Sequence, residues 1–497
     1  MTGTSISSSG VPAGGVRQKV VTGLVWLLVQ NAGLKLITLA IFTVFARILD
    51  PSDLGAFAFV TTVLGLAGIV VDQGLSEAVV QRREIWPSQL DALFVINLGI
   101  AVALTLGIGI AAPALTESVG LPEITPVLRV TSLGTLMSAM YFSQAGMLRR
   151  DFQYRWLTIS QIVGATLSGA LGIWLALEGG GVWSLTAQSL AQTAITGVLI
   201  WAVPQWQFRI PRDFRGTREL VSYGLSRLGA NVLDFANSRV LDLLVLARLG
   251  PAIAGLYVVG VRPQVALMQV LSGAVLDVAH NGFSRLAANR SALLAAYYKS
   301  VSVSAAAAVP VFVVVAATAP ELVEIVFGPS YATSATVLAP MCLLSAVQAM
   351  QFYNGTLFNA LGRPSISLKL LMLKVAVTFI TLGVVNGAGL DVFLKAYIGS
   401  QLATSPVSFY LVRRVVGVSL VAVLSCTWRF LLGSALAYGA VAGARSWLLA
   451  MGVGLWLRCL TLLIVASSVY AGFLALAARR QTLEIVGLFT GRSRQLT

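Results

Sequence analysis

About fourteen apolar segments, each long enough to cross a bilayer as a helix, follow one another from Val20 to Arg480. A spanning helix needs about 20 mostly apolar residues, so these segments and their short connections occupy nearly all 497 positions. The composition agrees, since 57% of the residues are hydrophobic and only 11% are charged, whereas a soluble domain carries roughly 25% charged residues. The sequence therefore predicts an all-α polytopic membrane protein with no room for a separate soluble domain.

The distribution of charge predicts the orientation in the membrane. The formal net charge is +15, which in a soluble protein would suggest a nucleic-acid partner. Here we expect no nucleic acid, because the bases recur in every second connection, as at Arg149-Arg150 and Arg413-Arg414. The connections between them carry acids such as Glu123 and Glu321. The positive-inside rule then places both termini in the cytoplasm.

An internal repeat predicts two bundles. Ala46 to Pro51, followed by Gly55, resembles Ala247 to Pro251, followed by Gly255, about 200 residues later. This offset of six helices predicts two six-helix bundles in parallel repeat, a signature of transporters. Chance matching of turn residues is the alternative. The predicted divisions are a disordered cytoplasmic tail 1–19, bundles 20–205 and 206–415, two extra transmembrane helices 416–480 and a cytoplasmic tail 481–497.

Several polar residues fall inside the apolar segments. The seventh segment carries five of them at helical spacing on one face, namely Arg227, Asn231, Asp234, Ser238 and Asp242. Arg239 lies three residues before Asp242, within ion-pair reach. A charge at the bilayer centre costs about 2.5–3.5 kcal/mol, so such residues face either a hydrated cavity or an opposite charge on a neighbouring helix. The sequence leaves both interpretations open.

The sequence contains no pattern typical of an enzyme. A phosphate-binding loop of the GxxxxGK[ST] type is missing, and His280 is the single histidine available as a general base. The three cysteines, Cys342, Cys426 and Cys459, lie in apolar segments without metal-ligand or disulfide spacing. We therefore expect no catalytic site, no cofactor and no metal.

The residues Ala46 to Gly55 resemble the first periplasmic turn of the bacterial polysaccharide transporter family. This family includes the O-antigen flippases and belongs to the multidrug/oligosaccharidyl-lipid/polysaccharide exporter superfamily. Similar motifs follow in the family's order over roughly residues 20–415, among them Asp72 to Leu75, Gly181 to Leu185, Tyr223 to Leu225, Gly255 to Tyr257 and Ala360 to Pro364. One departure is Asn281-Gly282 before Phe283, where the family usually has Phe-Pro; it affects the expected end of that helix.

The resemblance implies a flippase that moves undecaprenyl-diphosphate-linked oligosaccharide across the bacterial inner membrane, for exopolysaccharide, capsule or lipopolysaccharide O-antigen. Alternating access through a cationic central cavity is the implied mechanism. The candidate substrate-binding residues are Lys35, Arg47, Arg239, Arg248 and Arg262, with Arg47 and Arg248 at the release side. Candidate sites for coupling to H⁺ or Na⁺ are Asp72, Asp234 and Asp242. The implied partners are the lipid-linked oligosaccharide and membrane lipid, with a polysaccharide polymerase and a chain-length regulator as further candidates.

Three other functions stay open at this stage. A cationic drug exporter of the same superfamily would have a mostly acidic lumen, whereas bases are at least as frequent here. A membrane glycosyltransferase or polymerase would need a large periplasmic loop or a surface pair of catalytic acids. A non-transporting scaffold of polysaccharide assembly would differ only in failing to flip lipid.

Overall fold

Long α-helices form nearly all of the chain that the structure describes. The structure is a computed structural model, and it describes residues 6–7, 26, 33–72, 84–151, 153–203, 206–211, 217–385, 389–478 and 481. The chain divides into two compact units, Met1–Val258 and Val259–Thr497, and the division falls inside one helix. The bundle boundaries expected from the sequence at residues 205 and 415 stay predictions.

The first unit begins with a two-residue antiparallel pair of strands and contains the first seven described helices. The strands are β1 (Ile6–Ser7) and β2 (Glu84–Ile85). The helices are α1 (33–48), α2 (Pro51–Asp72), α3 (Pro87–Ser118), α4 (Thr125–Arg150), α5 (Tyr154–Leu177), α6 (Val182–Trp201) and α7 (Thr217–Leu249). A 3₁₀ turn, Pro122–Ile124, precedes α4.

Helix α8 (Pro251–Leu286) crosses from the first unit into the second. The second unit continues with α9 (Arg290–Ala317), α10 (Ala319–Phe327), α11 (Ala335–Ala349), α12 (Phe352–Ala360), α13 (Pro364–Val384), α14 (Leu390–Val416), α15 (Leu420–Ala450) and α16 (Leu455–Ala477). A 3₁₀ helix, Pro329–Ser334, joins α10 to α11.

The all-α, multi-span class predicted from the sequence is confirmed. In the described part of the chain, nine helical segments are long and apolar enough to cross a membrane by length and composition. Other long helices, such as α4 and α7, carry more polar residues along their length. The protein is therefore a multi-pass membrane protein.

Two local features differ from the sequence-based expectation. Hydropathy alone predicts one helix over Ser334–Leu361, but this segment breaks at Met350 and Gln351, where each main-chain N–H donates to the carbonyl three residues earlier instead of four. The Gln351 side chain donates to Ser405 Oγ at 2.8 Å and so holds the break against α14. Helix α10 was expected as a loop because it contains Glu321 and Glu324, yet one of its faces is buried.

Small residues let the helices of the first unit pack closely. Helix α5 packs along α6, and α3 packs along α4. At Gly164 of α5, a Cβ atom would collide with Thr196 of α6. At Gly172 it would meet Gln188 at 2.6 Å and Phe45 of α1 at 2.8 Å. Close approach of this kind is the usual way in which helices associate in lipid, where van der Waals contact replaces the hydrophobic effect.

The second unit has a continuous core around α9. This helix packs against α11 and α15, and α15 in turn packs against α16. Phe283, Tyr297, Tyr353 and Val412 form one buried cluster. The two C-terminal helices, which the sequence marked as additional, are thus packed on the second unit.

Candidate functional site

The two turns that the repeat matched lie side by side. Each turn joins the end of one helix to a proline at the start of the next, namely Pro51 at the start of α2 and Pro251 at the start of α8. A Cβ atom on Gly55 would overlap the Pro251 carbonyl oxygen, and one on Gly255 would overlap the Pro51 carbonyl oxygen. The contacts are reciprocal, as expected for equivalent turns of two parallel repeats.

This arrangement bears on the orientation of the predicted repeat. An inverted repeat would place the two turns on opposite faces of the membrane, whereas here their backbones touch. The sequence needs glycine at both positions because any side chain would occupy the space of the other turn's carbonyl group. The matched turns therefore share one face, which the charge pattern predicts to be the outer one.

Arg47 and Arg248 stand at equivalent places beside these turns. Arg47 lies near the end of α1 and Arg248 in the last turn of α7, and both are exposed. Since the two turns are neighbours, both guanidinium-bearing residues lie at the same end of the first unit. The structure thus brings together the two residues that the sequence assigned to the release side.

The polar residues on one face of α7 fall into two groups, one bound by neighbouring side chains and one exposed. Asp242 is only 13% exposed and binds two groups, Arg239 Nη1 at 2.9 Å and the Tyr257 hydroxyl at 3.0 Å. Asp234 and Ser238 are exposed, and the Ser238 hydroxyl donates to main-chain carbonyls of α7. The ion pair of Asp242 therefore lies within α7, and its contact with the neighbouring helix α8 is the hydrogen bond from Tyr257, while Asp234 has an exposed carboxylate.

The other residues singled out from the sequence have different environments. Lys35 is half-buried on α1. Arg262 is exposed on α8 directly before Pro263, and its neighbour Gln264 is buried and donates to Ser345 Oγ at 2.6 Å. The side chains of Asp72 and Arg227 lie outside the described part of the structure. The described residues contain no group of three or more His, Cys, Asp or Glu side chains that could hold a metal ion.

Sequence reasoning missed a buried ionic cluster in the second unit. Glu321 of α10 is 1% exposed, and Arg445 of α15 binds both of its oxygens, at 2.9 and 2.8 Å. Arg445 also donates to the carbonyl of Ala317 at the end of α9. Arg458 of α16 lies 3.3 Å from the same carboxylate. The cluster joins both C-terminal helices to α10.

A second missed carboxylate is Asp91 in the first turns of α3. It is 4% exposed, and its Oδ1 accepts hydrogen bonds from Trp206 Nε1 and from the main-chain N–H of Arg209, both at 3.0 Å. Phe94 and Phe208 pack around this tryptophan. Asp91 therefore holds the connection between α6 and α7 against α3. A lone acid in an apolar segment was the signal that could have found it.

Comparison with known families gives one match over more than half of the chain. The family described as "Polysaccharide biosynthesis protein" matches residues 44–336. The succinoglycan biosynthesis transport protein ExoT of Rhizobium meliloti is 26% identical over 63% of this chain and 63% of its own length, which is less than two thirds of that protein. The lipopolysaccharide biosynthesis protein WzxC of Escherichia coli is 22% identical over 72% of this chain and 73% of its own length.

Solved structures resemble this chain in fold. The lipid II flippase MurJ in an inward closed conformation superposes with a TM-score of 0.73 over 92% of this chain and 100% of that one, at 11% identity. An inward-facing multidrug transporter of the MATE family gives a TM-score of 0.58 over 77% of this chain and 94% of that one, at 18% identity. At these identities the likeness concerns the fold alone.

Proposed function

Since this chain belongs to the polysaccharide biosynthesis protein family, we propose that it is a flippase for lipid-linked oligosaccharide in the bacterial inner membrane. Its substrate would be an oligosaccharide on undecaprenyl diphosphate, moved from the cytoplasmic to the outer leaflet. Relatives named for succinoglycan, lipopolysaccharide and teichuronic acid biosynthesis support a role in making surface polysaccharide. They differ in the polymer named, so the proposal leaves the sugar unspecified.

The observation that carries the proposal is the contact between the two repeat-related turns. Transporters built from parallel repeats use alternating access, in which one half rocks against the other. The reciprocal contact of Gly55 and Gly255 brings equivalent helix starts of the two predicted repeats together, which supports such a mechanism. No enzymatic step is needed, because flipping changes the leaflet of the lipid and breaks no bond.

The charges suit an anionic head group. Lys35 and Arg262 are proposed to compensate the diphosphate during transit, while Arg47 and Arg248 receive it at the release side. Arg239, which the sequence also suggested, is assigned instead to its ion pair with Asp242. Arginine offers paired donors that match phosphate oxygens, whereas lysine offers a point charge. The polyprenyl chain would stay in lipid throughout, because moving it into a polar cavity would cost hydrophobic free energy.

We propose fewer residues for ion coupling than the sequence suggested. Asp242 already has Arg239 and Tyr257 as partners, so its carboxylate is compensated within the protein. Asp234 is the exposed carboxylate of the same helix face. We therefore favour Asp234 as the H⁺ or Na⁺ site and assign Asp242 to holding α7 and α8 together.

The experiment combines export in cells with flipping in proteoliposomes. A hydrogen bond to a charged group contributes about 1.5–3 kcal/mol, so Arg262→Ala should lower transport about ten-fold or more. Arg262→Lys should keep more activity than Arg262→Ala, because it retains the charge. Arg285→Ala is the matched control, because Arg285 is exposed in the last turn of α8, at the end that the charge pattern predicts to be cytoplasmic.

Two results would contradict different parts of the proposal. Normal export by Arg262→Ala and Lys35→Ala would remove the cationic pathway while leaving the flippase assignment intact. Failure of the purified wild-type protein to flip a lipid-linked oligosaccharide would overturn the flippase assignment itself and favour a scaffold.

A further inference from the structure

A groove of about 360 Å³ runs along α14 to its junction with α15. Its walls are mostly apolar and include Leu402, Phe409 and Leu420. Three lining residues are polar, namely Ser405, Tyr410 and Arg413. The Ser405 hydroxyl already accepts a hydrogen bond from Gln351, so it is partly satisfied within the protein. The groove thus combines a mostly apolar wall with one cationic side chain, Arg413.

The turn that closes the groove is held in one conformation. Gly417 adopts a left-handed conformation with φ of 85°, and the Arg290 guanidinium covers it. Arg290 Nε donates to the Val416 carbonyl at 2.8 Å, and the main-chain N–H of Ser419 donates to the Tyr298 hydroxyl at 2.8 Å. Ser419 also caps α15 through the N–H of Ala422. The turn at this end of the groove is therefore fixed by hydrogen bonds between side chains and the main chain.

Two features of the residues around the groove indicate that it faces lipid near the head groups. Tyr410 is 60% exposed and lies one helical turn before Arg413, and tyrosine is typical of the membrane–water interface. Leu402 and Leu420 are exposed on the walls, as expected for side chains that face acyl chains. From Leu402 to Arg413 the helix rises about 16 Å, the depth of one leaflet's hydrocarbon.

Most of the bases in this part of the chain have no acidic counterpart. Residues 392–483 contain eight lysines and arginines and no aspartate or glutamate, and among the described residues Lys395, Arg445 and Arg458 are the ones that pair with a carboxylate outside this range. In the portion of the chain that the structure describes, no carboxylate forms an ion pair with Arg413. Arg413 and its neighbour Arg414 lie at the end of α14 that the charge pattern places in the cytoplasm.

We propose that this groove binds one anionic phospholipid of the cytoplasmic leaflet, with an acyl chain along Leu402, Phe409 and Leu420 and the phosphate on Arg413. Basic pockets between transmembrane helices on the cytoplasmic side bind anionic head groups in this way. A diphosphate-linked glycan would need several polar donors for its head, and the groove provides a single cation. The site is thus a lipid site that is separate from transport, and it stands whether or not the chain is a flippase.

Native mass spectrometry of the purified full-length protein tests the proposal with phosphatidylglycerol and phosphatidylcholine as probes. The wild-type protein should retain one phosphatidylglycerol with about five- to ten-fold preference over phosphatidylcholine. Arg413→Gln should abolish this preference. Arg414→Gln is the matched control, because Arg414 is the adjacent exposed arginine and does not line the groove; it should leave the preference unchanged.

A second pair of variants tests the apolar wall of the groove. Leu402→Trp should fill the groove and weaken retention of both lipids, whereas Leu424→Trp, at an exposed position outside the groove, should not. Equal losses for Arg413→Gln and Arg414→Gln would overturn the proposal in favour of diffuse electrostatic attraction. So would equal retention of the two phospholipids by the wild-type protein. Retention of undecaprenyl phosphate that phosphatidylglycerol cannot displace would also overturn it and assign the groove to the polyprenyl lipid.

Discussion

The buried cluster of Glu321, Arg445 and Arg458 allows a quantitative prediction of how strongly α15 and α16 are attached to α10. In Glu321→Gln the shape of the side chain is kept, but the negative charge between Arg445 and Arg458 is removed. Breaking a buried ion pair by removing one partner costs about 3–5 kcal/mol, because the remaining charge stays uncompensated. The arginine side chains are 24% and 16% exposed, and glutamine can still accept one hydrogen bond. We therefore expect a loss near the lower limit, about 3 kcal/mol in the free energy of unfolding.

Two measurements check this value. Reversible denaturation in detergent gives the free energy of unfolding directly. Labelling of Cys459 by N-ethylmaleimide reports the local event, since this thiol is 5% exposed on α16 next to Arg458. With Cys342 and Cys426 replaced by alanine, labelling of Cys459 should be faster in Glu321→Gln than in the parent.

Glu324→Gln is the matched control, because Glu324 lies one turn further along α10 and is only half-buried. It should change stability by less than about 0.5 kcal/mol. A double-mutant cycle between Glu321→Gln and Arg445→Gln should give a coupling energy of at least about 1 kcal/mol. Equal stabilities of the two glutamate variants, with unchanged labelling of Cys459, would refute the assignment of the cluster as the attachment of α15 and α16.

Three further predictions concern packing, buried polar groups and orientation. Gly55→Ala should lower the free energy of unfolding by about 1–3 kcal/mol or more, because the new methyl group overlaps the Pro251 carbonyl. Gly68→Ala on the same helix meets open space, so it should leave thermal stability unchanged in the same assay. Asn354→Leu should lower the free energy of unfolding by about 1–3 kcal/mol for each buried group left without a partner, because Tyr297 and Ser408 both lose their hydrogen bonds to this side chain. Asn359→Leu, at an exposed position, is the control. Equal denaturation midpoints for the two variants would contradict this prediction. In intact cells a membrane-impermeant thiol reagent should label a cysteine placed at Glu123 and not one placed at Arg363, and the reverse pattern would invert the predicted topology.

Length and hydropathy predicted most of the fold, because in lipid a helix must satisfy all of its own backbone groups. The break at Met350 and Gln351 could not be predicted in this way, since neither residue is a glycine or proline and the break depends on Ser405 of another helix. Helix α10 was missed for a related reason. Its glutamates suggested a loop, and only the two distant arginines make burial of Glu321 possible.

The candidate site was predictable where the signal is local. The ion pair of Arg239 with Asp242 follows from their spacing of three residues on one helix. The common face of the two turns agrees with the predicted parallel repeat, whereas their direct contact could not be predicted from it. The partners of Asp91 and Glu321 lie more than a hundred residues away, so no periodicity in the sequence relates them. A search for each intramembrane charge and its compensating group would have suggested both.

The cost of placing charge in lipid separates structural from functional residues in this protein. Asp91, Asp242 and Glu321 are largely buried, and each accepts at least two hydrogen bonds from donors within the chain, so none of the three depends on a substrate for a partner. Asp234 is different, because it is exposed on a helix that packs against α2 within the first unit. A charge exposed along such a helix is stable only if water, an ion or a substrate compensates it. The residues most worth testing for transport are therefore those that the fold leaves exposed, Asp234 first, and the buried pairs are the ones to leave unchanged in any variant designed to alter substrate or ion.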